Sequence, residues 1–549
     1  MSFQERRARL GRETRRVRAR WRAAPARTRL ALLFAAGLAG AFAHAPFFIQ
    51  PLFLAGLVAL VLSLDDARRG ARPWRAGFAR AWAYAAGLFL GGLWWVANAF
   101  LVDAQTYGWL VWAPVTLLPA GLALFWGIAG AVYVRAAPRG PARTAVFAAL
   151  LLIAELTRAH VLSGFPWNLP GHVFQAGGAI SQLAALIGAS GLSALTLFAF
   201  TAPAALFGPG SPVKRAAPLA LGVGVLAAGW AWGAARLAEA EVAETETRLR
   251  IVQLDREQSE LRPDNLDAVL DEYLELSAGP GLDGVDAVIW PEGSVPAWLM
   301  NEPDVLAEIA ARLPLGTRLI AGAPHVAFAD RRADDRYYNA LHMLRIGPEG
   351  VVAEARYDKA RLVPFGEANT LAALTRPLGL ETLSQYGVGF DPGPGPRTVA
   401  LDGLPAFAPL ICYEVVYPGF VAAPRPRPAF LLNVSNDAWY GDTAGPAQLL
   451  NQAQYRSLET GLPMVRAASA GPSGQIDAYG RARVLSAVET SQAFDLVLLK
   501  SLDESVYTQY GTALWVIAFS LLIAFTAWFS RLEPHSRRRY IQQRLETEL

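Results

Sequence analysis

Two patterns of hydrophobic and polar positions divide the chain. Up to about residue 236, long apolar runs follow one another with short polar loops between them. Beyond it, apolar stretches shrink and alternate with amphipathic segments. A transmembrane helix needs about 20 mostly apolar residues. Runs of this kind occur at 28–47, 50–64, 81–100, 107–134, 144–158, 180–207, 216–235 and 512–530, the second and fifth being short. Segments so apolar on every side satisfy their backbone in a bilayer only as helices. The pattern predicts eight spans: seven in a block over 28–236 and one over 509–531, with an arm at 1–27 before them and a tail at 532–549 after them.

The segment 237–508 reads differently. Strands are predicted at Leu249–Gln253, Ala287–Trp290, Arg318–Ala321, Tyr338–Arg345, Val351–Tyr357, Ala408–Cys412, Phe430–Asn433 and Met464–Ala467. Amphipathic helices are predicted at 264–277, 303–312 and 445–460. Strands separated by helices argue for an α/β or layered αββα domain of about 270 residues, enough for its own core.

Composition agrees with the division. Of 549 residues, 53% are hydrophobic and 17% charged, too apolar for an ordinary soluble protein of this size. The net charge of +4 hints at nucleic-acid binding, but the charges are segregated. Eleven arginines lie between Arg6 and Arg29, and only seven of the 46 acidic residues precede position 241. The basic arm is therefore read as a solvated or phospholipid-facing tail, and no nucleic-acid partner is expected. Arginines return after the second span (Arg68, Arg69, Arg72, Arg75, Arg80), after the fourth (Arg135, Arg139, Arg143) and in the tail, while Lys214 and Arg215 follow the sixth. The positive-inside rule then makes every second loop cytoplasmic. Both termini are predicted inside and 237–508 outside. No zinc spacing or phosphate-cradling glycine loop is present, so neither a metal nor a cofactor is expected.

Candidate chemistry sits at three strand ends. Glu292 follows Val288-Ile-Trp-Pro, Lys359 follows Arg356-Tyr-Asp, and Cys412 follows Pro409-Leu-Ile. Taken singly, each has an ordinary structural explanation: a solvated carboxylate, a surface charge, a buried small hydrophobe. Two facts weigh against it. The chain has 47 arginines but only three lysines, Lys214, Lys359 and Lys500, so a retained lysine is needed as lysine. Cys412 is the only cysteine, in a segment predicted to lie outside the cytoplasm, where a free thiol is at risk.

The motifs around these residues resemble the nitrilase superfamily, whose Glu–Lys–Cys triad sits on an αββα sandwich. The whole chain resembles a membrane-bound branch, the bacterial apolipoprotein N-acyltransferases. The motifs that carry the resemblance are Gly164-Phe-Pro-Trp-Asn168 with Gly171, Gly188-Ala-Ser-Gly-Leu-Ser193, Val288-Ile-Trp-Pro-Glu292, Tyr338-Asn339, Lys359 with Leu362-Val-Pro-Phe-Gly-Glu367, Cys412-Tyr-Glu414 and Ser435-Asn-Asp-Ala-Trp439. No single motif is decisive; their order along the chain is.

The resemblance implies a polytopic helical membrane domain carrying an external αββα sandwich of nitrilase type. Glu292 would act as general base, Lys359 as oxyanion stabiliser with the Tyr413 N–H, and Cys412 as nucleophile. Glu367 and Glu414 match supporting glutamates. The implied reaction moves an acyl chain from a membrane phospholipid, through a Cys412 thioester, to the N-terminal amine of diacylglyceryl-modified apolipoproteins. The expected setting is the bacterial inner membrane, with a monomer working from its periplasmic face. The alternative on the same triad is a membrane-tethered amidase or nitrilase that releases the acyl group to water. A non-enzymatic membrane protein is a third reading. Arg262, Ala340, Leu449 and Ser469 depart from the family pattern without touching the triad.

Overall fold

The computed structural model describes residues 16, 19–328, 335–364, 366–367, 389–422, 425–488, 490–511 and 513. The first part is a helical bundle: α1 (Ala26–Gly40), α2 (Gln50–Ala67), α3 (Pro73–Leu93), α4 (Trp112–Ala136), α5 (Arg143–Arg158), α6 (Ala184–Thr201) and α7 (Pro212–Ala238). Short 3-10 turns lengthen several of them. Six stretches are long and apolar enough to cross a membrane: Ala26–Ala43, Gln50–Ala67, Pro73–Phe100, Trp112–Ala136, Ile180–Phe207 and Pro212–Ala238.

Six of the eight predicted runs meet this measure among the described residues. The run at 512–530 falls outside them, apart from Thr512's neighbour Ala513. The run at 144–158 forms α5, whose 16 residues make about 24 Å of helix, short of a hydrocarbon core about 30 Å thick. Polar anchoring explains where α5 stops. Arg143 at its start lies 2.7 Å from Asp65, and Arg158 at its end pairs with Glu155. The short run at 50–64 extends to Ala67 and qualifies.

α1 and α3 cross at glycine. A Cβ on Gly37 would lie 1.9 Å from the Tyr84 carbonyl oxygen, and one on Gly87 2.0 Å from that of Phe34. Lipid tails are as apolar as leucine, so backbone approach of this kind supplies dispersion contact that apolar side chains alone do not.

The second part holds two six-stranded sheets. Its strands are β1 (Glu244–Gln253), β2 (Ala287–Ile289), β3 (Arg318–Ala327), β4 (Arg336–Gly347), β5 (Gly350–Asp358), β6 (Val399–Leu401), β7 (Leu404–Ile411), β8 (Phe430–Asn436), β9 (Met464–Ser469), β10 (Gly474–Ile476), β11 (Ala482–Leu485) and β12 (Gln492–Leu499). The orders are β12-β1-β2-β3-β4-β5 and β11-β10-β9-β8-β7-β6. Each sheet has three parallel central strands, β1 to β3 and β7 to β9, and antiparallel strands outside them.

The period-2 alternation sorts side chains between layers. Leu249, Ile251, Ile289, Ile320, Leu341 and Met343 share one core with Phe407, Leu410, Phe430 and Leu432 of the other sheet. Their neighbours Val252, Val288, Leu319 and Leu344 pack instead with α8 (Leu266–Ser277) and α9 (Pro303–Arg312). Helix α10 (Ala444–Thr460) covers the second sheet. The layering is helix, sheet, sheet, helix. α10 also meets the bundle: Asn451 Oδ1 accepts from Ala176 N at 2.9 Å, and Glu459 Oε1 from Ala189 N at 2.7 Å.

The α1–α3 crossing predicts that Gly87→Leu destabilises the bundle by about 1–3 kcal/mol through overpacking. Cys412, buried and the only cysteine, provides the readout. Thermal exposure of its thiol to a maleimide dye should occur at lower temperature in the variant, and an unchanged midpoint would refute the contact.

Candidate active site

Each predicted chemical residue follows directly from a strand end. Lys359 is the first residue after β5, and Cys412 the first after β7. Glu292 comes three residues after β2, carried over the sheet edge by Trp290 and Pro291. Gly322 in β3 makes room for that crossing, since a Cβ there would stand 2.4 Å from the Pro291 carbonyl oxygen. Because β2 and β5 belong to one sheet and β7 to the other, the three side chains meet only when the two sheets stack.

Lys359 is 1% exposed. Its Nζ donates to Glu292 Oε1 at 2.9 Å and to Glu367 Oε1 at 2.8 Å. Asn339 Nδ2 donates to the same two oxygens at 2.7 Å each, tying the carboxylates together. The second oxygen of Glu292 accepts the Asn436 N–H at 2.9 Å, so it is held on both sides. Glu367 Oε2 accepts the Val363 N–H at 2.8 Å. Burial pulls the Lys359 ammonium down, but the charges of Glu292 and Glu367 outweigh it and hold the group above its ordinary range. Lys359 is thus a permanent cation.

Cys412 opens a 3-10 turn, Cys412–Val416, with φ of +48°. A non-glycine residue in this region costs about 1–3 kcal/mol and persists only where the surroundings enforce it. Glu414 enforces it. Its carboxylate is fully buried and accepts N–H bonds from Ile411 at 2.8 Å, Ala360 at 2.7 Å and Arg361 at 3.2 Å, and the Tyr357 hydroxyl at 3.0 Å. One side chain therefore clamps the end of β5 to the end of β7. Burial pushes the Cys412 thiol up to about 12; the Glu292 charge adds to this, and Lys359 opposes it. At neutral pH the resting group is a thiol.

The other side of Cys412 is aromatic. Tyr440 OH lies 3.8 Å from its Sγ. Trp95 and Trp167, from the bundle, pack on the Tyr440 ring with centroids at 4.9 and 6.0 Å. Tyr413 stacks on Trp167 and donates its hydroxyl to Gly164 O at 3.1 Å. Tyr417 OH reaches the same carbonyl at 2.9 Å. Arg158 secures this loop from below, donating to Trp167 O at 3.1 Å. Gln448 of α10 accepts from Trp95 Nε1 at 3.1 Å and Trp167 Nε1 at 2.8 Å.

The structure thus brings Glu292, Lys359, Glu367 and Cys412 into one buried cluster, with Glu414 and Tyr413 behind the thiol. Sequence reading passed over Asn339, Asn436, Tyr440 and Gln448. The first two stand inside quoted motifs and Tyr440 directly follows one, so their positions were visible while their roles were not. Gln448 had no signal beyond its place in a predicted helix. Of the departures, Arg262 is exposed, while Ala340, Leu449 and Ser469 are buried core residues.

A buried carboxylate–amine–thiol cluster between two stacked sheets, on a multi-pass bundle, defines a membrane-bound enzyme of carbon–nitrogen hydrolase type. A model of the carbon–nitrogen hydrolase family matches residues 248–487, and one of the apolipoprotein N-acyltransferase N-terminal domain matches residues 36–202. Apolipoprotein N-acyltransferases of Caulobacter vibrioides, Rhodopseudomonas palustris and Brucella melitensis are similar over most of their lengths. The first is 40% identical over 457 residues, 82% of this chain and 85% of that protein. The second is 35% identical over 496 residues, 88% and 92% of the two chains, and the third 35% over 523 residues, 92% and 96%. The chain belongs to the apolipoprotein N-acyltransferase family and is an acyltransferase.

Glu414 gives a pH signature. Burial pushes its carboxyl from 4.5 up to about 7, against its N–H donors. Between those values the unfolded chain has lost the proton and the folded chain keeps it. The contribution of this group to stability therefore falls as pH rises from about 4.5 to about 7, and is level above. Thermal midpoints of the wild type should show this fall relative to Glu414→Gln; parallel pH profiles would contradict it.

Proposed function

We propose that the protein transfers a fatty acyl chain from a membrane phospholipid, through a thioester on Cys412, to the N-terminal amine of diacylglyceryl-modified apolipoproteins. The observation that carries this reading is the Lys359 ammonium held against Glu292 beside a thiol that burial keeps protonated. A thiolate formed beforehand would add a negative charge to a buried site. Moving the Cys412 proton to Glu292 leaves the net charge of the cluster unchanged. This favours Glu292 as general base during attack over a pre-ionised nucleophile.

In the first half-reaction, Sγ bonds to the ester carbonyl carbon while Glu292 takes the thiol proton. Lys359 and the Tyr413 backbone N–H stabilise the developing oxyanion. The ester C–O bond then breaks, Glu292 returns the proton to the leaving oxygen, and a lysophospholipid departs. In the second, the apolipoprotein amine attacks the thioester carbonyl. Glu292 accepts the amine proton and passes it to the departing sulfur, leaving an amide and the thiol. Two half-reactions through one covalent intermediate make a ping-pong scheme. Asn339 and Glu367 serve as positioning residues for Lys359 and Glu292.

Both substrates are lipid-anchored, and drawing acyl chains into water costs about 0.8 kcal/mol per CH₂. A sheet domain over 237–508 seated on the bundle avoids that cost. The arginine-rich loops support an orientation with both termini cytoplasmic and this domain on the periplasmic face of the inner membrane. A monomer carries the whole cluster.

Intact mass of the full-length protein after incubation with phospholipid should show a fatty-acyl adduct labile to neutral hydroxylamine and absent in Cys412→Ala. Glu292→Gln should slow its formation by about 10²–10⁴-fold. An adduct in Cys412→Ala sinks the nucleophile assignment, and normal acylation of Glu292→Gln sinks the base.

A further inference from the structure

The α1–α2 turn and the end of α3 face the sheet domain: Ala45 O accepts from Gln448 Nε2 at 3.4 Å, and Trp95 donates to Gln448. The opposite ends of these helices line an open cleft of about 690 Å³. Six arginines line it, Arg22, Arg29, Arg69, Arg72, Arg75 and Arg80, against a single carboxylate, Asp66. Asp66 is already shared three ways, 2.8 Å from Arg22 and 3.7 Å from both Arg29 and Arg80. Among the described residues no carboxylate pairs with Arg69, Arg72 or Arg75. Arg29 Nε is buried with no hydrogen-bond partner among the described residues.

Arg22, Arg29 and Arg80 share Asp66, which leaves the exposed Arg69, Arg72 and Arg75 as three like charges that an anion would join. Guanidinium forks match phosphate oxygens two at a time, which suits them to a phosphodiester better than to a small spherical ion. The surroundings point to a lipid as the source of that phosphate. Trp74, half exposed beneath Arg75, stands at the first turn of α3, where amphipathic rings mark a membrane interface. Leu32 on α1 is exposed just beyond Arg29. We propose that this cleft binds the headgroup of an anionic phospholipid, at the end of the bundle far from Cys412 and separate from the acyl donor. Arg22, Arg29 and Arg80 with Asp66 form its floor, and Arg69, Arg72 and Arg75 take the phosphate oxygens. The bound headgroup bridges the end of α2 and the start of α3, beside the Asp66 pairs that hold α1 and α3 to α2.

Native mass spectrometry of the full-length protein from detergent, with phosphatidylglycerol and phosphatidylcholine in competition, counts retained lipid. A parallel arm measures the thermal midpoint with each lipid and with inorganic phosphate. One retained phosphatidylglycerol is expected, with an affinity about 10- to 30-fold lower in Arg72→Gln/Arg75→Gln. Phosphatidylglycerol should raise the midpoint when the cleft is intact but not in that variant. Arg139→Gln, outside the cleft, should leave both readouts unchanged. Undiminished retention by the double variant, equal loss in Arg139→Gln, or inorganic phosphate matching the lipid would each overturn the proposal. Both readouts are taken in the Cys412→Ala background, which forms no acyl-enzyme, so the site stands or falls apart from the acyl-transfer mechanism.

Discussion

Removing a lysine ammonium from water costs several kcal/mol unless charge and hydrogen bonds replace the solvent. Lys359 meets that demand with Glu292 and Glu367, at 2.9 and 2.8 Å. The rest of the site follows from satisfying this group. Two carboxylates close to one cation would repel, so Asn339 bridges them, and backbone N–H groups of Asn436 and Val363 complete them. Asn436 ends β8 of one sheet, while Lys359 and Asn339 lie on the other. The network therefore pins the sheets in register across the sandwich, and the cleft exists only when both are folded.

The thiol is placed by a second buried carboxylate. Glu414 joins the ends of β5 and β7 through N–H groups that neither strand can satisfy alone. It holds Cys412 at a φ its side chain disfavours, which exposes Sγ to the Glu292–Lys359 side. The bundle supports the same turn from the opposite direction, through the Gly164 carbonyl and the indoles of Trp95 and Trp167. The membrane part thus builds one wall of the site as well as anchoring it. A thiol enclosed between an ionic network and an aromatic wall is shielded from water, which suits the proposed thioester.

Much of this was legible along the chain because strand cores and spans are local patterns. All eight predicted strands formed, and Glu292, Lys359 and Cys412 stood out because each follows a predicted strand, Lys359 is one of three lysines and Cys412 is the only cysteine. The strands not foreseen, Val399–Leu401, Gly474–Ile476, Ala482–Leu485 and Gln492–Leu499, are short or depend on a distant partner; the last pairs with β1 from the far end of the domain. The α5 run reads as a span, but composition does not reveal that Arg143 at its start pairs with Asp65 of α2, while Arg158 at its end pairs within the helix. Asn339, Tyr440 and Gln448 escaped for the same reason. Neutral side chains show no function until the fold supplies the groups they bridge.

The central claim is that Cys412 carries the acyl group between a lipid ester and an amine. A chase experiment tests it most directly. Protein acylated with a phospholipid labelled in its fatty acyl chain is freed of unbound lipid, then mixed with a diacylglyceryl-cysteinyl peptide. The account predicts that label leaves Cys412 in a single turnover and appears as an amide on the peptide. Label released to water as free fatty acid while the peptide stays unmodified, or peptide acylation by Cys412→Ala, would contradict it.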